Sequence, residues 1–540
     1  MTRHAPLLAA ALAFLVYLPS LHGSFLYDDQ SNIVANRSLR DPAAIGAVVR
    51  HEPARPLLNV TWALNYRVSG LEPWSYHLVN ALTHAGNAVL AFSLLSWMAR
   101  RSGRPHAEGV ALLGACLFAI TPMAVETVAY VSSRSTALCT LFTLASLRLA
   151  VDALETAALG RIALAYLFFV LALLTKEEAA ALPLLLILLD VFFLAGGDWR
   201  GPVRRPALHA AFLVLPALGL VARRAVTGAW LPPLALDRGI YVATQAAAFP
   251  LYLGRALIPF DPAFFRGHPA APWPPDLPTL LMGITGLVLV VAAVAARRRF
   301  AAVSFAILWM AAALLPSSSI VPLEEMVVDH RAYLGGLGIA YLMGGLLWAP
   351  GRLPFAIGLL ALLGVRTVQY QRVVGDPVRA WEDAVRRAPS SAEARRALAD
   401  VYAERGDPRA ERTMEQAMLL GSEHGRSWAN LALYYLSQNR REDAEEALRR
   451  AADAAPADSR IRDNLGALLE AEGRTDEAAR EYEAAVLGRP MIAQPRVRLA
   501  LLLLEKGEKR RAAALLDQAA ALEIDAEDAR AIEAVRARLR

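Results

Sequence analysis

The sequence predicts an all-α protein in two parts, a polytopic membrane helix bundle followed by a water-facing α-solenoid of short helical repeats. Three observations predict it. Of 540 residues, 56% are hydrophobic, more than a soluble chain usually carries. Up to about residue 370, apolar runs alternate with short polar loops, and from Val374 on Arg, Glu, Asp and Ala take over. The tail then repeats itself at a period of 34 residues. The predicted division is a membrane domain over 1–372 and a repeat domain over 373–540.

A spanning helix needs about 20 mainly apolar residues. Candidates lie at Ala5–Leu21, His77–Met98, Glu108–Ile120, Ser135–Ala150, Ile162–Leu174, Ala179–Leu194, Ala207–Val221, Leu277–Ala295, Val303–Leu315, Tyr333–Trp348 and Phe355–Val368. That is about eleven spans. The first has a short basic start but no clean small-x-small cleavage site, so it reads as a retained helix rather than a signal peptide. Gly239–Phe260 carries Gln245 and Arg255 and is split by Pro250. It reads as an amphipathic segment on the outer surface.

Charge sets the orientation. With the N-terminus inside, eleven spans keep Arg100, Arg101, Arg104, Arg200, Arg204, Arg205, Arg297–Arg299 and Arg352 inside, as the positive-inside rule requires. The C-terminal repeats then lie outside. The formal charge of +6 therefore reports topology. No basic stretch is interleaved with stacking aromatics, so a nucleic-acid partner is not expected. Cys116 and Cys139 sit in apolar runs without Cys/His spacing, which speaks for buried small hydrophobes and against zinc or redox chemistry.

In the tail, Leu431-Ala432, Leu465-Gly466 and Leu499-Ala500 stand 34 apart. Ala444, Ala478 and Ala512 recur in step, then Leu448, Tyr482 and Leu516, then Ala451, Ala485 and Ala519. Pro456 and Pro490 close two of the units. This is the tetratricopeptide pattern, in which small residues let two antiparallel helices approach. A weaker unit starts near Leu398, and Trp381, Ala384 and Pro389 look like the end of an earlier one. Such arrays usually bind a polypeptide; a plain spacer is the structural alternative.

Candidate chemistry lies in the outer loops. The loop FLYDDQSNIVAN carries adjacent carboxylates, Asp28 and Asp29. A carboxylate at the membrane edge suits a general base, and a capped turn is the structural alternative. Adjacent residues of an extended loop point apart. Which Asp is the base stays open, with Asp29 slightly favoured. Arg55 precedes a proline in the same outward segment. His77, Asn80, His84 and Asn87 share one face of the second span, facing either a cavity or other helices. The next outer loop places Glu126 and Arg134 at the outer surface. Lys176, Glu177 and Glu178 interrupt two apolar runs almost without a loop, a cost unless paired or used. The last outer loop holds Glu324, Glu325, Asp329, His330 and Arg331. Cations here suit a phosphate or pyrophosphate leaving group.

These segments, in this order, resemble the transmembrane and tetratricopeptide-repeat-containing family of the C-type glycosyltransferase superfamily, which also holds protein O-mannosyltransferases. FLYDDQSNIVAN, RPLLNVTWALNY with PWSYHLVNALTHAGNAVL, ETVAYVSSR, TKEEAAALPLLLILLD and DHRAYLGGLG carry the resemblance. It implies a membrane glycosyltransferase moving mannose or a similar hexose from a polyprenyl-phosphate carrier to a hydroxyl acceptor, a protein by expectation, on the outer face of a bacterial inner membrane. By it Asp28 or Asp29 is the catalytic carboxylate. Arg55, His77, Asn80, Glu126, Arg134, Lys176, Glu177, His330 and Arg331 are expected to bind substrate. The expected partners are membrane lipid, the lipid-linked sugar and an acceptor polypeptide on the repeats. Beyond the donor no cofactor is expected, and no metal site is indicated. The chain departs from the family pattern at Thr121 and Ala124, where relatives often carry His, and at Thr136, where an acid often follows the Arg. The alternative function is a non-catalytic repeat scaffold for envelope assembly.

Overall fold

A computed structural model describes the chain except residues 1–3, 41–44, 157, 229–235, 321–324, 422–424, 489–492, 523–525 and 540. Glu324 and Pro490 lie outside the described residues. Among those described, the secondary structure is helical throughout, without a strand. The chain divides into two compact units, Met1–Arg387 and Ala388–Arg540.

In the first unit every predicted span is helical. Six helices are long and apolar enough to cross a membrane, or seven if Ala107–Ile120 and Pro122–Ala129, bent by 50°, count as one. Leu159–Leu173, Pro206–Val221 and Gly336–Leu347 are shorter apolar helices. The span predicted at Ala179–Leu194 is built from a 3-10 turn, an α-helix and a π-turn that begins at Asp190. Small residues let two of these helices touch: a Cβ on Gly344 would lie 2.6 Å from the Val110 carbonyl oxygen. Close backbone approach of this kind replaces the hydrophobic drive that lipid removes.

Two loops predicted to be inside meet, with Arg297 Nε donating to the Gly197 carbonyl at 2.8 Å. Both therefore lie on one face, and the crossings between them are even in number. Leu277–Ala296 is long and apolar enough to be one of them, whereas Arg238–Leu257 does not meet that test. Along its length Tyr241, Gln245 and Tyr252 bond to Ser317, Met326 and Val328.

The loop after the first span is itself folded. Ile45–His51 and Pro56–Ser69 are helical, and Phe25, Ile33, Leu39, Trp62 and Tyr76 form a core with Val131 and Leu138. The helix Pro377–Arg387, expected to belong with the repeats, is part of the first unit, because Trp381 packs its ring against Tyr27, Phe264 and Phe265.

The second unit is a run of helix pairs, from Ala392–Glu404 with Arg409–Leu419 to Gln494–Glu505 with Lys509–Ala520, followed by Ala526–Leu539. The 34-residue register coincides with its core: Ala432, Ala444, Ala478, Ala500 and Ala512 are fully buried, as are Tyr482 and Leu516. Gly466 is required, since a Cβ there would meet the Tyr482 ring at 2.6 Å.

Candidate functional site

Tyr27 takes a left-handed backbone at φ 50°, uncommon for a residue with a side chain. It turns the chain so that Asp28 and Asp29 begin a helical turn. The extended loop expected there is not found, yet the two carboxylates still diverge. Asp29 is fully buried. Its Oδ2 accepts from the Leu26 amide at 2.9 Å. Its Oδ1 accepts from the Ser132 amide at 2.7 Å and the Ser132 hydroxyl at 2.5 Å. Burial, and Asp28 beside it, push its carboxyl up to about 7 despite these bonds. Asp28 is exposed, and its amide donates to the Tyr130 hydroxyl at 3.1 Å. Asp29 thus pins the turn, and Asp28 faces outward from it.

Four residues before Tyr130, Glu126 is buried rather than at the surface expected for it. It holds His330 twice, accepting from the His330 amide at 2.9 Å and meeting Nδ1 at 2.6 Å. Burial, with the Lys176 cation nearby, holds the His330 ring well below its ordinary pKa. Lys176 donates to the Thr136 hydroxyl at 2.7 Å and pairs with Glu178 at 3.0 Å. Thr136, where an acid was expected from the resemblance, thus supplies the lysine with a neutral acceptor. Glu177 turns the other way and receives Arg55 Nη2 on both oxygens, at 3.0 and 3.2 Å. Burial would raise the Glu177 carboxyl, but Arg55 and Lys176 outweigh it and hold it below its usual value.

Arg134 is also a correction. Expected at the outer surface, it is fully buried. Its guanidinium donates to Asn80 at 2.7 Å, Asn65 at 2.6 Å, Thr61 at 3.2 Å and the Tyr76 carbonyl at 2.8 Å. Asn80 in turn holds the carbonyls of Val128 and Tyr130, both at 3.3 Å. Arg134 and Asn80 therefore shape the turn under Asp28. Arg331 folds back on the carbonyls of Met326 and Glu325. His77 is buried against Gly23, and neither ring nitrogen has a hydrogen-bond partner among the described residues. Lower on that face, His84 bonds Tyr333 and the Ala119 carbonyl, and Asn87 bonds Tyr333 and the Ala137 carbonyl. That is helix-to-helix bonding.

Comparison with known proteins fits this frame. A tetratricopeptide-repeat profile matches residues 425–458. Protein O-mannosyl-transferase TMTC4 of Homo sapiens is 32% identical over 163 residues, 26% of this chain and 22% of that protein. Protein O-mannosyl-transferase Tmtc1 of Drosophila melanogaster is 33% identical over 203 residues, 35% of this chain and 23% of its own. Over those stretches the chain is similar to these protein O-mannosyl-transferases. The match spans under a quarter of those proteins' length. The crystal structure of ArnT from Cupriavidus metallidurans bound to undecaprenyl phosphate aligns over 84% of this chain and 80% of its own, at 14% identity and a TM-score of 0.33.

Sequence reasoning missed two cations. Arg266, in the loop after Arg238–Leu257, forks onto Asp329 at 2.8 Å through both Nε and Nη2. Arg255 lies near Arg266 and Asp329, with Nη1 buried and without a hydrogen-bond partner. Next to it, Ala256, Leu257, Pro259 and Phe260 line an apolar pocket with Leu117, Ala332 and Tyr333. The only signal in the sequence was an arginine inside a segment too polar to span. Among the described residues no three His, Cys, Asp or Glu side chains converge as metal ligands would.

Proposed function

We propose that the chain is an integral-membrane glycosyltransferase that moves a hexose, mannose or similar, from a polyprenyl-phosphate carrier to the hydroxyl of a polypeptide. The outer face of a bacterial inner membrane, with the repeats in the periplasm, is the orientation the arginine-rich loops favour. The observation that carries the reading is the divided carboxylate pair. Asp29 is spent on bracing the loop, and the exposed Asp28 is left on a rigid turn beside the Glu126–His330–Lys176 cluster.

In this reading Asp28 takes the proton from the acceptor hydroxyl as its oxygen attacks the sugar's anomeric carbon, and the bond to the carrier phosphate breaks with its electron pair on phosphate. A positioned base of this kind typically contributes about 10²–10⁴-fold. The departing phosphate needs cations that are not already saturated. Arg134 is satisfied by neutral acceptors and Arg266 by Asp329. Arg255 and Arg331 are the best suited, because Nη1 of the one and Nε of the other are buried without a hydrogen-bond partner among the described residues, and the apolar pocket lined by their chain neighbours Ala256, Leu257, Ala332 and Tyr333 suits the isoprenoid end of the carrier. Lys176 and His330, held by Glu178 and Glu126, would shape the polar wall around them rather than bind the phosphate directly.

The test is purified protein with a panel of labelled polyprenyl-phosphate sugars, scored for hydrolysis and for transfer to peptide. Wild type is expected to consume one donor, and Asp28→Asn to bind that donor without consuming it. Turnover of none, or full turnover by Asp28→Asn, would return the membrane unit to the role of an anchor for a repeat scaffold.

A further inference from the structure

The helix Pro377–Arg387 ends the first unit, and the repeat unit begins at the next residue, Ala388. It buries Ala380, Trp381 and Ala384 on one face. Trp381 is 1% exposed. Its ring meets Tyr27 edge-on with centroids 5.2 Å apart, and Phe264 likewise at 5.5 Å. Phe264 in turn meets the Tyr130 ring edge-on at 5.3 Å. The same helix also fixes the Phe264 backbone: Asp383 accepts from the Tyr370 hydroxyl at 3.1 Å, and that hydroxyl accepts from the Phe264 amide at 2.7 Å.

These contacts bear on Asp28 from two sides. Tyr27 precedes it, in the left-handed backbone at φ 50° that starts the turn. Such a backbone is strained for a residue with a side chain and persists only where its surroundings fix it. Tyr130 holds the other side, because its hydroxyl accepts from the Asp28 amide at 3.1 Å. Both tyrosines lean on one aromatic group, Trp381 with Phe264. Edge-to-face contacts between rings are directional as well as apolar, so they set an angle that an aliphatic filler would leave free. Ser132 and Asn80 brace the same turn through Asp29 and the Tyr130 carbonyl. Trp381 reaches it from the far end of the unit.

We propose that Trp381 is a positioning residue for Asp28. Through Tyr27 directly, and through Phe264 to Tyr130, it sets the direction in which the Asp28 carboxylate leaves its turn. It touches no reacting atom. The inference rests on the reading of Asp28 as the base, and it gives the helix that leads into the repeats a part in the membrane unit's chemistry.

The experiment uses the full chain in nanodiscs, well below the melting temperature of each variant. Transfer kinetics use the donor that wild type consumes from a panel of labelled polyprenyl-phosphate hexoses, and hydrogen exchange reads the amides of residues 26–30. Trp381→Leu keeps an apolar filler and removes the ring. It is expected to lower kcat about ten- to hundredfold, the scale of a misplaced reacting group, with donor KM within about twofold. Exchange at 26–30 should quicken about tenfold. Trp381→Phe restores a ring edge and should return both readouts close to wild type. Phe264→Leu breaks the branch to Tyr130 and should lower kcat in the same way, so it carries the test if Trp381→Leu does not fold. Arg386→Gln, on the exposed side of the same helix, should change neither readout. Wild-type kcat in both folded leucine variants, a loss that Trp381→Phe shares in full, or a loss carried by KM alone would overturn the proposal. If wild type consumes no donor, the base reading fails and exchange decides the positioning role by itself. Faster exchange confined to 26–30 in the leucine variants then upholds Trp381 as the residue that orients Asp28, and unchanged exchange overturns it.

Discussion

Arg266 and Asp329 meet in the membrane unit with side chains 8% and 1% exposed, whereas Arg440 and Glu411 meet in the repeat unit at 41% and 35%. Both are close arginine–carboxylate pairs, but their surroundings differ. In the membrane unit this pair is shielded from water and, like Arg55–Glu177 and His330–Glu126, ties together segments far apart in sequence. In the repeat unit the pairs bridge neighbouring turns in water, as Arg474 does between Glu445 and Glu477. What holds the repeats is the alanine, leucine and tyrosine register beneath. Ion pairs therefore decide local geometry in the first unit and decorate the second.

The largest effect is expected where a buried pair serves an exposed group. Asp28→Asn should lower transfer by about 10²–10⁴-fold with little change in donor binding or melting, measured by single-turnover assay; activity near wild type would break the division of labour between the two aspartates. Asp329→Asn should cost about 3 kcal/mol, because it leaves the buried Arg266 charge with only the longer contact to the exposed Asp261, at 3.5 Å, and calorimetry in detergent reads this directly. Within the repeats the counterpart is steric: Gly466→Val drives a side chain into the Tyr482 ring and should cost about 1–3 kcal/mol, with the loss confined to the repeat unit's transition.

A smaller, directional effect tests Asp29. Its carboxyl titrates near 7 in the folded chain and in the ordinary carboxylate range, about 3.9, when unfolded. Between those values the folded state binds more protons, so stability present below the lower value is lost as pH rises towards 7. Wild type should therefore lose stability relative to Asp29→Asn over that window. A flat difference between the two proteins would mean that Asp29 is solvated. The smallest effect closes the comparison. Arg440→Gln should leave the melting temperature unchanged, and a clear drop would show that the repeat unit depends on its surface pairs after all.

Much of this was legible in the sequence because it is written in periods. The apolar runs give the spans whatever packs against them, and the 34-residue register gives the repeat core, down to Ala444, Ala478 and Ala512. The motifs that hold Glu126, Lys176 and His330 mark segments that the fold brings together. What the sequence left undecided is which side chain in each motif is buried. Asp28 and Asp29 are neighbours of the same type; Ser132, 103 residues on, makes Asp29 the brace and leaves Asp28 outward. Arg134 looked like a surface cation until Thr61, Asn65, Tyr76 and Asn80 enclosed it. Arg255 and Arg266 stood out in no motif, yet one ends with a buried Nη1 that no described residue meets in a hydrogen bond and the other on Asp329. Periodicity is local and survives in one dimension. Desolvation and pairing depend on which distant segment arrives, and only the tertiary structure decides that.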